Sequence, residues 1–305
     1  MLFRSVAKAT HGGLDWVGNT LVAIRSGGTT PNQLVAYDTT TWQRTVLARG
    51  PVAGWEASPG LVEPEAVTYP AEDATVLHGL LYRPAAGGHG GVICWLHGGP
   101  TDQATVTFNP RLAFFVERGW TVLMPNHRGS TGHGRAYTQA MRHRWGEIDV
   151  RDTVAALKAI VDNGWGRADR LVLMGASAGG FTVLNTLTAS PGAVRAAAVL
   201  YPVTDLTDGE THRFEAHYFD SLVPDAQRRA RSPLAAAGRV VDPVLMLHGE
   251  ADAVVSVAQA RAFADACRSA ALHVYPGEGH GWRRPETTVD ELDRICAFLD
   301  RNGLR

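Results

Sequence analysis

LVLMGASAGGFTVLNTL (residues 171–187) sets an apolar run, a glycine-flanked serine and a second apolar run side by side, with no charge between them. Leu171–Met174 reads as a buried strand and Gly179–Ala189 as a helix. The turn between them, Gly175-Ala176-Ser177-Ala178-Gly179, has the spacing G-x-S-x-G. A sharp strand-to-helix turn of this type holds its serine in a strained conformation, and small flanking residues let strand and helix approach. Ser177 is therefore the candidate nucleophile, its hydroxyl at the top of a sheet beside the positive end of the following helix. A plain glycine-rich turn or helix cap is the alternative for the same letters, and the strand–turn–helix context favours the nucleophile.

Outward from this turn the chain alternates strands and helices. Strands are expected at Thr75–Leu81, Val92–Leu96, Thr121–Met124, Leu171–Met174, Ala196–Leu200, Val244–Leu247 and His273–Tyr275, with helices at Arg111–Arg118, Val150–Asp162, Gly179–Ala189, Val257–Ser269 and Val289–Arg301. Continuous apolar strands separated by helices predict an α/β class with a mostly parallel, doubly wound sheet. Residues 1–60 differ: TLVAIR (20–25), QLVAYD (33–38) and TVLA (45–48) are short β-type runs joined by turn residues. We read a small β-meander over 1–60, a Pro/Gly-rich linker at 51–64, and one larger domain over 61–305.

Ligands of such sheets bind beyond the carboxyl ends of the strands, so the loops there hold the partners Ser177 needs. A serine requires a base to take its proton and an acid to hold that base in one tautomer, in the chain order nucleophile, acid, histidine. PVLMLHGEADAVV (243–255) is an apolar strand whose loop presents Asp252; Glu250 competes but lies two residues closer to the strand, and His248 at the strand end reads as structural. LHVYPGEGHGW (272–282) follows, with His280 bracketed by glycines, while His273 lies within its strand. Asp252 is the candidate acid and His280 the candidate base. After Val92–Leu96 comes His97-Gly98-Gly99-Pro100, where the amide of Gly99, with that of Ala178, is placed to bind a tetrahedral oxyanion. A simple turn is the other reading of Gly-Gly-Pro.

Composition narrows the function classes. The 305 residues carry a formal net charge of -1, so neither a basic nucleic-acid-binding surface nor an acidic tail is indicated. Cys94, Cys267 and Cys296 are an odd, widely spaced set that suggests neither a disulfide framework nor a zinc site. His212 and His217 are five apart, which is not a helical metal-pair spacing, and we expect no metal and no cofactor. The start of the chain lacks a signal-peptide core and no apolar run is long enough to span a bilayer, so a cytoplasmic protein without membrane partners is expected.

Several longer motifs stand with these residues: HGGP (97–100), NHRGSTGHG (126–134), Trp145-Gly146 before Asp149 and Asp152, GASAGG (175–180), YPVTD (201–205), HGEAD (248–252) and PGEGHG (276–281). Together, over about residues 63–300, they resemble the prolyl oligopeptidase family of serine peptidases, in particular its acylaminoacyl-peptidase and dipeptidyl-peptidase branches. The resemblance implies an α/β-hydrolase fold, a triad of Ser177, Asp252 and His280, and hydrolysis of short peptides or acylated amino acids. It also makes residues 1–60 look like the last blade of a propeller, too little to close one. Two positions depart from the family's frequent tyrosines, Ala178 after the nucleophile and His127 in NHRGS, which makes ester hydrolysis the alternative. A catalytically retired binding protein, with the meander serving oligomer contacts, is the alternative of another class. His97, Arg128, Phe181, Tyr201 and Trp282 are candidates for substrate contact. For Arg128 a salt bridge with Asp149 or Asp152 is favoured over a substrate carboxylate, and for the aromatics core packing competes. The charged segment 207–231 is expected to form helices over the site, and a homodimer covering the meander is the expected assembly.

Overall fold

A computed structural model of the chain describes residues 10–50, 58–208 and 216–304. Its strands are β1 (Thr10–Val17), β2 (Thr20–Gly27), β3 (Thr30–Asp38), β4 (Arg44–Arg49), β5 (Glu65–Pro70), β6 (Val76–Tyr82), β7 (Val92–Leu96), β8 (Thr121–Asn126), β9 (Leu171–Ala176), β10 (Ala196–Leu200), β11 (Val244–Gly249) and β12 (Ala270–Tyr275). Its α-helices are α1 (Pro110–Glu117), α2 (Arg135–Gln139), α3 (Ile148–Asp162), α4 (Ala178–Ala189), α5 (Ala216–Leu222), α6 (Arg228–Arg231), α7 (Val257–Ala266) and α8 (Pro285–Arg301). Every strand and helix expected from the sequence is present. The sequence reading passed over β1, β5 and α2. β1 is broken by a bulge between Gly12 and Asp15, and no side chain of α2 is buried, so neither carries a clean period. β5 is an edge strand and lacks a continuous apolar run.

Strands β1 to β4 form an antiparallel sheet in sequence order, whereas the other eight follow the order β12-β11-β10-β9-β7-β8-β6-β5. Parallel pairing joins β7 to β9, β9 to β10, β10 to β11 and β11 to β12. The two compact units of the chain cut across this order. One takes the described residues up to Val67 with Leu80–His89 and Thr105–Val122; the other takes Thr68–Gly79, Gly90–Ala104 and the described residues from Leu123 onward.

In the first unit the meander leaves Leu14, Trp16, Ile24 and Trp42 more than half exposed, while Ala23 and Val35 are fully buried. In the second unit every residue of β7, β10 and β11 is buried, as parallel strands covered on both faces require. The strand order reverses between β9 and β7: successive strands are added on one side from β9 to β12, and the earlier ones lie on the other side. A crevice opens at the carboxyl ends of strands where the order reverses, and here those ends carry Ser177 and the 97–100 turn. The three cysteines are free. Among the described residues no helix is long and apolar enough to cross a membrane.

Candidate active site

Ser177 is the residue between β9 and α4, with φ 54° and ψ −121°. A positive φ at a non-glycine residue costs about 1–3 kcal/mol and persists only where its surroundings impose it. Here the Ser177 amide donates to the Leu200 carbonyl at 3.0 Å, and the Ser177 carbonyl accepts from the Phe181 amide at 3.1 Å. Close approach explains the flanking glycines. A Cβ on Gly175 would stand 2.5 Å from the carbonyl of Gly179, and one on Gly179 would stand 2.5 and 2.6 Å from the carbonyl oxygens of Leu96 and His97. Strand β9, helix α4 and the end of β7 therefore converge without side chains between them.

Asp252 and His280 leave the adjacent parallel strands β11 and β12, so their loops share one end of the sheet. The His280 Nδ1–H donates to Asp252 Oδ2 at 2.8 Å, which leaves Nε2 as the ring's proton acceptor. The Asp252 side chain is fully buried and that of His280 one-fifth exposed. Burial by itself would raise the Asp252 carboxyl. Hydrogen bonds from His248, His280 and the amides of Val255 and Val254 outweigh it and hold the group well below the usual aspartate range. A depressed native-state carboxyl contributes stability that is complete above the ordinary aspartate range and is lost as pH falls below it. His248, wholly buried, places Nε2 2.9 Å from the Val255 carbonyl and 3.4 Å from Asp252 Oδ2. It thus braces Asp252 from beneath.

Gly99 has φ 117°, a conformation only glycine adopts without strain, and borders the same cavity as Ser177 and Ala178. Ala178 is the first residue of α4, and first-turn amides have no acceptor within their own helix. These two amides are the candidate oxyanion donors. His97, a candidate for substrate contact, instead has both ring nitrogens engaged within the chain. Nδ1 donates to the Gly98 carbonyl at 2.7 Å and Nε2 accepts from Ser130 Oγ at 2.8 Å. Its ring stacks on His127 at 4.7 Å, and burial with that neighbour pushes it down to about 4, so it is neutral near pH 7.

A cavity of about 350 Å³ reaches Ser177 and Asp252. Trp145, Val203, Leu206, Phe219 and Val255 give it an apolar wall continuous with a buried core cluster, and Asp205, Asp208 and Gln259 border it too. Gln259 holds this loop, its Oε1 accepting from the amides of Thr204 and Asp205 and its Nε2 donating to Asp208. Sequence reasoning singled out none of the wall residues as pocket lining. They come from separate segments and carry no shared spacing; the signals were that Trp145 and the YPVTD segment belong to longer motifs, that Val255 ends the Asp252 loop and that Phe219 lies in the segment expected over the site. Within 207–231, Ala216–Leu222 and Arg228–Arg231 form α5 and α6 and Phe219 borders the cavity, while 209–215, with His212, lie outside the described residues.

The other candidates for substrate contact fall elsewhere. Phe181 is fully buried in the core cluster, 4.3 Å from the Trp145 ring, so it supports the cavity wall from behind and does not face a substrate. Tyr201 and Trp282 pack beside His280, with Tyr201 4.5 Å from the His280 ring and 5.4 Å from Trp282. Arg128 forms the structural salt bridge: Nη2 meets Asp152 at 2.6 Å and Nη1 meets Asp73 at 2.6 Å, while Asp149 bonds to Gly146 and Thr182. Arg128→Met leaves the carboxylate of Asp152, 1% exposed, without its cation. The expected cost is about 3–5 kcal/mol, read as a fall in Tm with KM unchanged well below the transition. An unchanged Tm with a raised KM would return Arg128 to substrate binding.

With this geometry in view, the likeness to known proteins is specific. The sequence profile of the prolyl oligopeptidase family matches residues 106–303. Dipeptidyl peptidase family member 6 of Caenorhabditis elegans is 29% identical over 69% of this chain and 31% of its own length. An acylamino-acid-releasing enzyme of Arabidopsis thaliana is 26% identical over 69% of this chain and 30% of its own. The solved structure of a Mycobacterium tuberculosis puromycin-hydrolyzing peptidase superposes with a TM-score of 0.90 and 31% identity, over 99% of this chain and 50% of that one. The chain thus spans about a third of the length of these curated relatives.

Proposed function

We propose, from the premise that this chain belongs to the prolyl oligopeptidase family, that it is a serine hydrolase cleaving amide bonds of short peptides or acylated amino acids. The observation that carries the reading is the 2.8 Å bond from His280 to a buried Asp252 that borders one cavity with Ser177. Ser177 Oγ attacks the substrate carbonyl as His280 Nε2 takes its proton, and Asp252 stabilises the imidazolium. The amides of Gly99 and Ala178 receive the oxyanion, each such donor being worth on the order of 100-fold in rate. Collapse passes the proton from His280 to the departing amine and leaves an acyl-serine. Water, deprotonated by His280, then releases the acid. The apolar wall of Trp145, Val203, Leu206 and Phe219 suits an apolar side chain on the acyl part.

We place this chemistry in residues 61–305 and leave residues 1–60 as a β-meander. A cytoplasmic site and a homodimer that covers the exposed edge of the meander complete the proposal. The same machinery cleaves esters, and the small Ala178 beside the nucleophile favours that as a second reading. Turnover of aminoacyl-anilides, N-acylated aminoacyl-anilides, puromycin and p-nitrophenyl esters separates the two. Puromycin belongs in the set because a solved relative of this chain hydrolyses it. Amide turnover that Ser177→Ala abolishes supports the peptidase reading; turnover confined to esters overturns it.

A further inference from the structure

Glu278 is a buried acidic residue that the reaction itself leaves unused, and it sits two positions before the base. Only 1% of the residue is exposed, yet it is fully partnered. Oε2 accepts from the Arg283 amide at 2.9 Å, and Oε1 from the Arg284 amide at 3.3 Å, Arg284 Nε at 3.0 Å and Thr287 Oγ1 at 2.6 Å. These donors all lie beyond His280, at the entry to α8. The carboxylate therefore reaches across the turn and fastens its far side to the first residues of a 17-residue helix. The positive end of that helix favours the ionised form.

The main chain of the same residue faces the acid. The Glu278 carbonyl accepts from the Ala251 amide at 2.8 Å, one residue before Asp252. Nothing larger than glycine fits beneath it: a Cβ on Gly249 would stand 2.4 Å from the carbonyl oxygens of Glu278 and Gly279. Between the two attachments the turn closes on itself through a bridge from Gly279 to Gly281, with His280 at its tip. Glycines on both sides leave the base no stiffness of its own, so its position is set by what holds the ends of the turn.

We propose that Glu278 is a positioning residue for the base, holding the 276–284 turn at both ends so that the His280 imidazole stays on Asp252. The proposal rests on His280 being the general base. Hydrogen bonds from Arg283, Thr287 and Arg284 push the Glu278 carboxyl down to about 2, so the clamp is intact near neutral pH. A depressed carboxyl loses its contribution only as pH falls toward that value, and no step from Glu278 is expected in the activity profile above pH 4 or so. Glutamine in its place keeps the size but turns an N–H toward the Arg283 or Arg284 amide, so one end of the turn is released.

The test compares the parent with Glu278→Gln and Thr287→Val, well below their Tm, by three readouts. These are kcat and KM on a chromogenic substrate, the rate of fluorophosphonate labelling, and the downfield imidazole N–H resonance of His280 in 15N-histidine-labelled protein. Glu278→Gln is expected to lower kcat and labelling together on the order of tenfold to a hundredfold, since small misplacements of a reacting group have effects of that size. KM stays within about twofold, because the cavity wall is untouched. The His280 proton signal broadens or vanishes. Thr287→Val removes one donor and leaves the charge, giving a smaller loss in the same direction, and it carries the test should Glu278→Gln not fold. A variant with lowered Tm but the parent's kcat and His280 signal overturns the proposal, as does a lowered kcat with the signal intact. If the parent neither turns over nor labels, the hydrolase reading fails, and the resonance still decides whether Glu278 holds the histidine.

Discussion

Ser177→Ala is expected to fold as the parent does and to lose on the order of 10⁶-fold in kcat, the scale of nucleophile loss in serine hydrolases. The residual rate over water expected for such a variant is what the amides of Gly99 and Ala178 and binding alone would supply. Three side chains acting as one relay make a sharper claim than any single loss. His280→Ala should cost nearly as much as Ser177→Ala, and the double variant should lose no more than either. Asp252→Asn should cost about 10⁴-fold, because the amide no longer holds the Nδ1–H tautomer. Single-turnover or steady-state rates per mole of folded protein for the two single variants and the double one check this. Losses that multiply in the double variant would mean that Ser177 and His280 work separately, and the acyl-enzyme scheme would fall.

Gly179→Ala is expected to be nearly as damaging for a steric reason. The added methyl would stand 2.5 Å from the Leu96 oxygen and 2.6 Å from the His97 oxygen, both main-chain atoms that no rotamer change can move aside. Relief requires β7 and the 97–100 turn to shift away from α4. The expected cost is about 3 kcal/mol or more in stability, a Tm lower by several degrees. The same shift carries Gly99 away from Ser177, so kcat should fall on the order of 100-fold or more in whatever protein remains folded. Gly12→Ala is the control: a Cβ there meets nothing within 4 Å, and neither Tm nor kcat should move. Thermal melts and kinetics on both variants check the pair; a stable, fully active Gly179→Ala would show that the turn tolerates a wider gap.

Residues 171–187 were legible because their constraints are local. Whether a strand can turn sharply into a helix at Ser177 depends on neighbours within a few positions, and Gly175 and Gly179 report that need directly in the sequence. The order of Ser177, Asp252 and His280 was legible for a related reason: each follows an apolar run, and a mostly parallel sheet gathers the carboxyl ends of its strands at one end. Arg128 was half legible. Its type called for a carboxylate, but choosing Asp152 over Asp149 required knowing which face of α3 turns toward Arg128, and Asp73, in the turn before β6, comes from a segment the sequence does not link to it.

By itself, then, the sequence determined the strand–turn–helix at Ser177, the parallel sheet and the loops that present Asp252 and His280, because periodicity and small-residue spacing act over a few residues. Tertiary structure alone decided which side chains wall the cavity, that Phe181 lies behind Trp145, that His97 has no nitrogen to spare, and that the Glu278 carbonyl meets the loop of Asp252. Those outcomes depend on contacts between segments as much as a hundred residues apart, and no spacing within one segment records them.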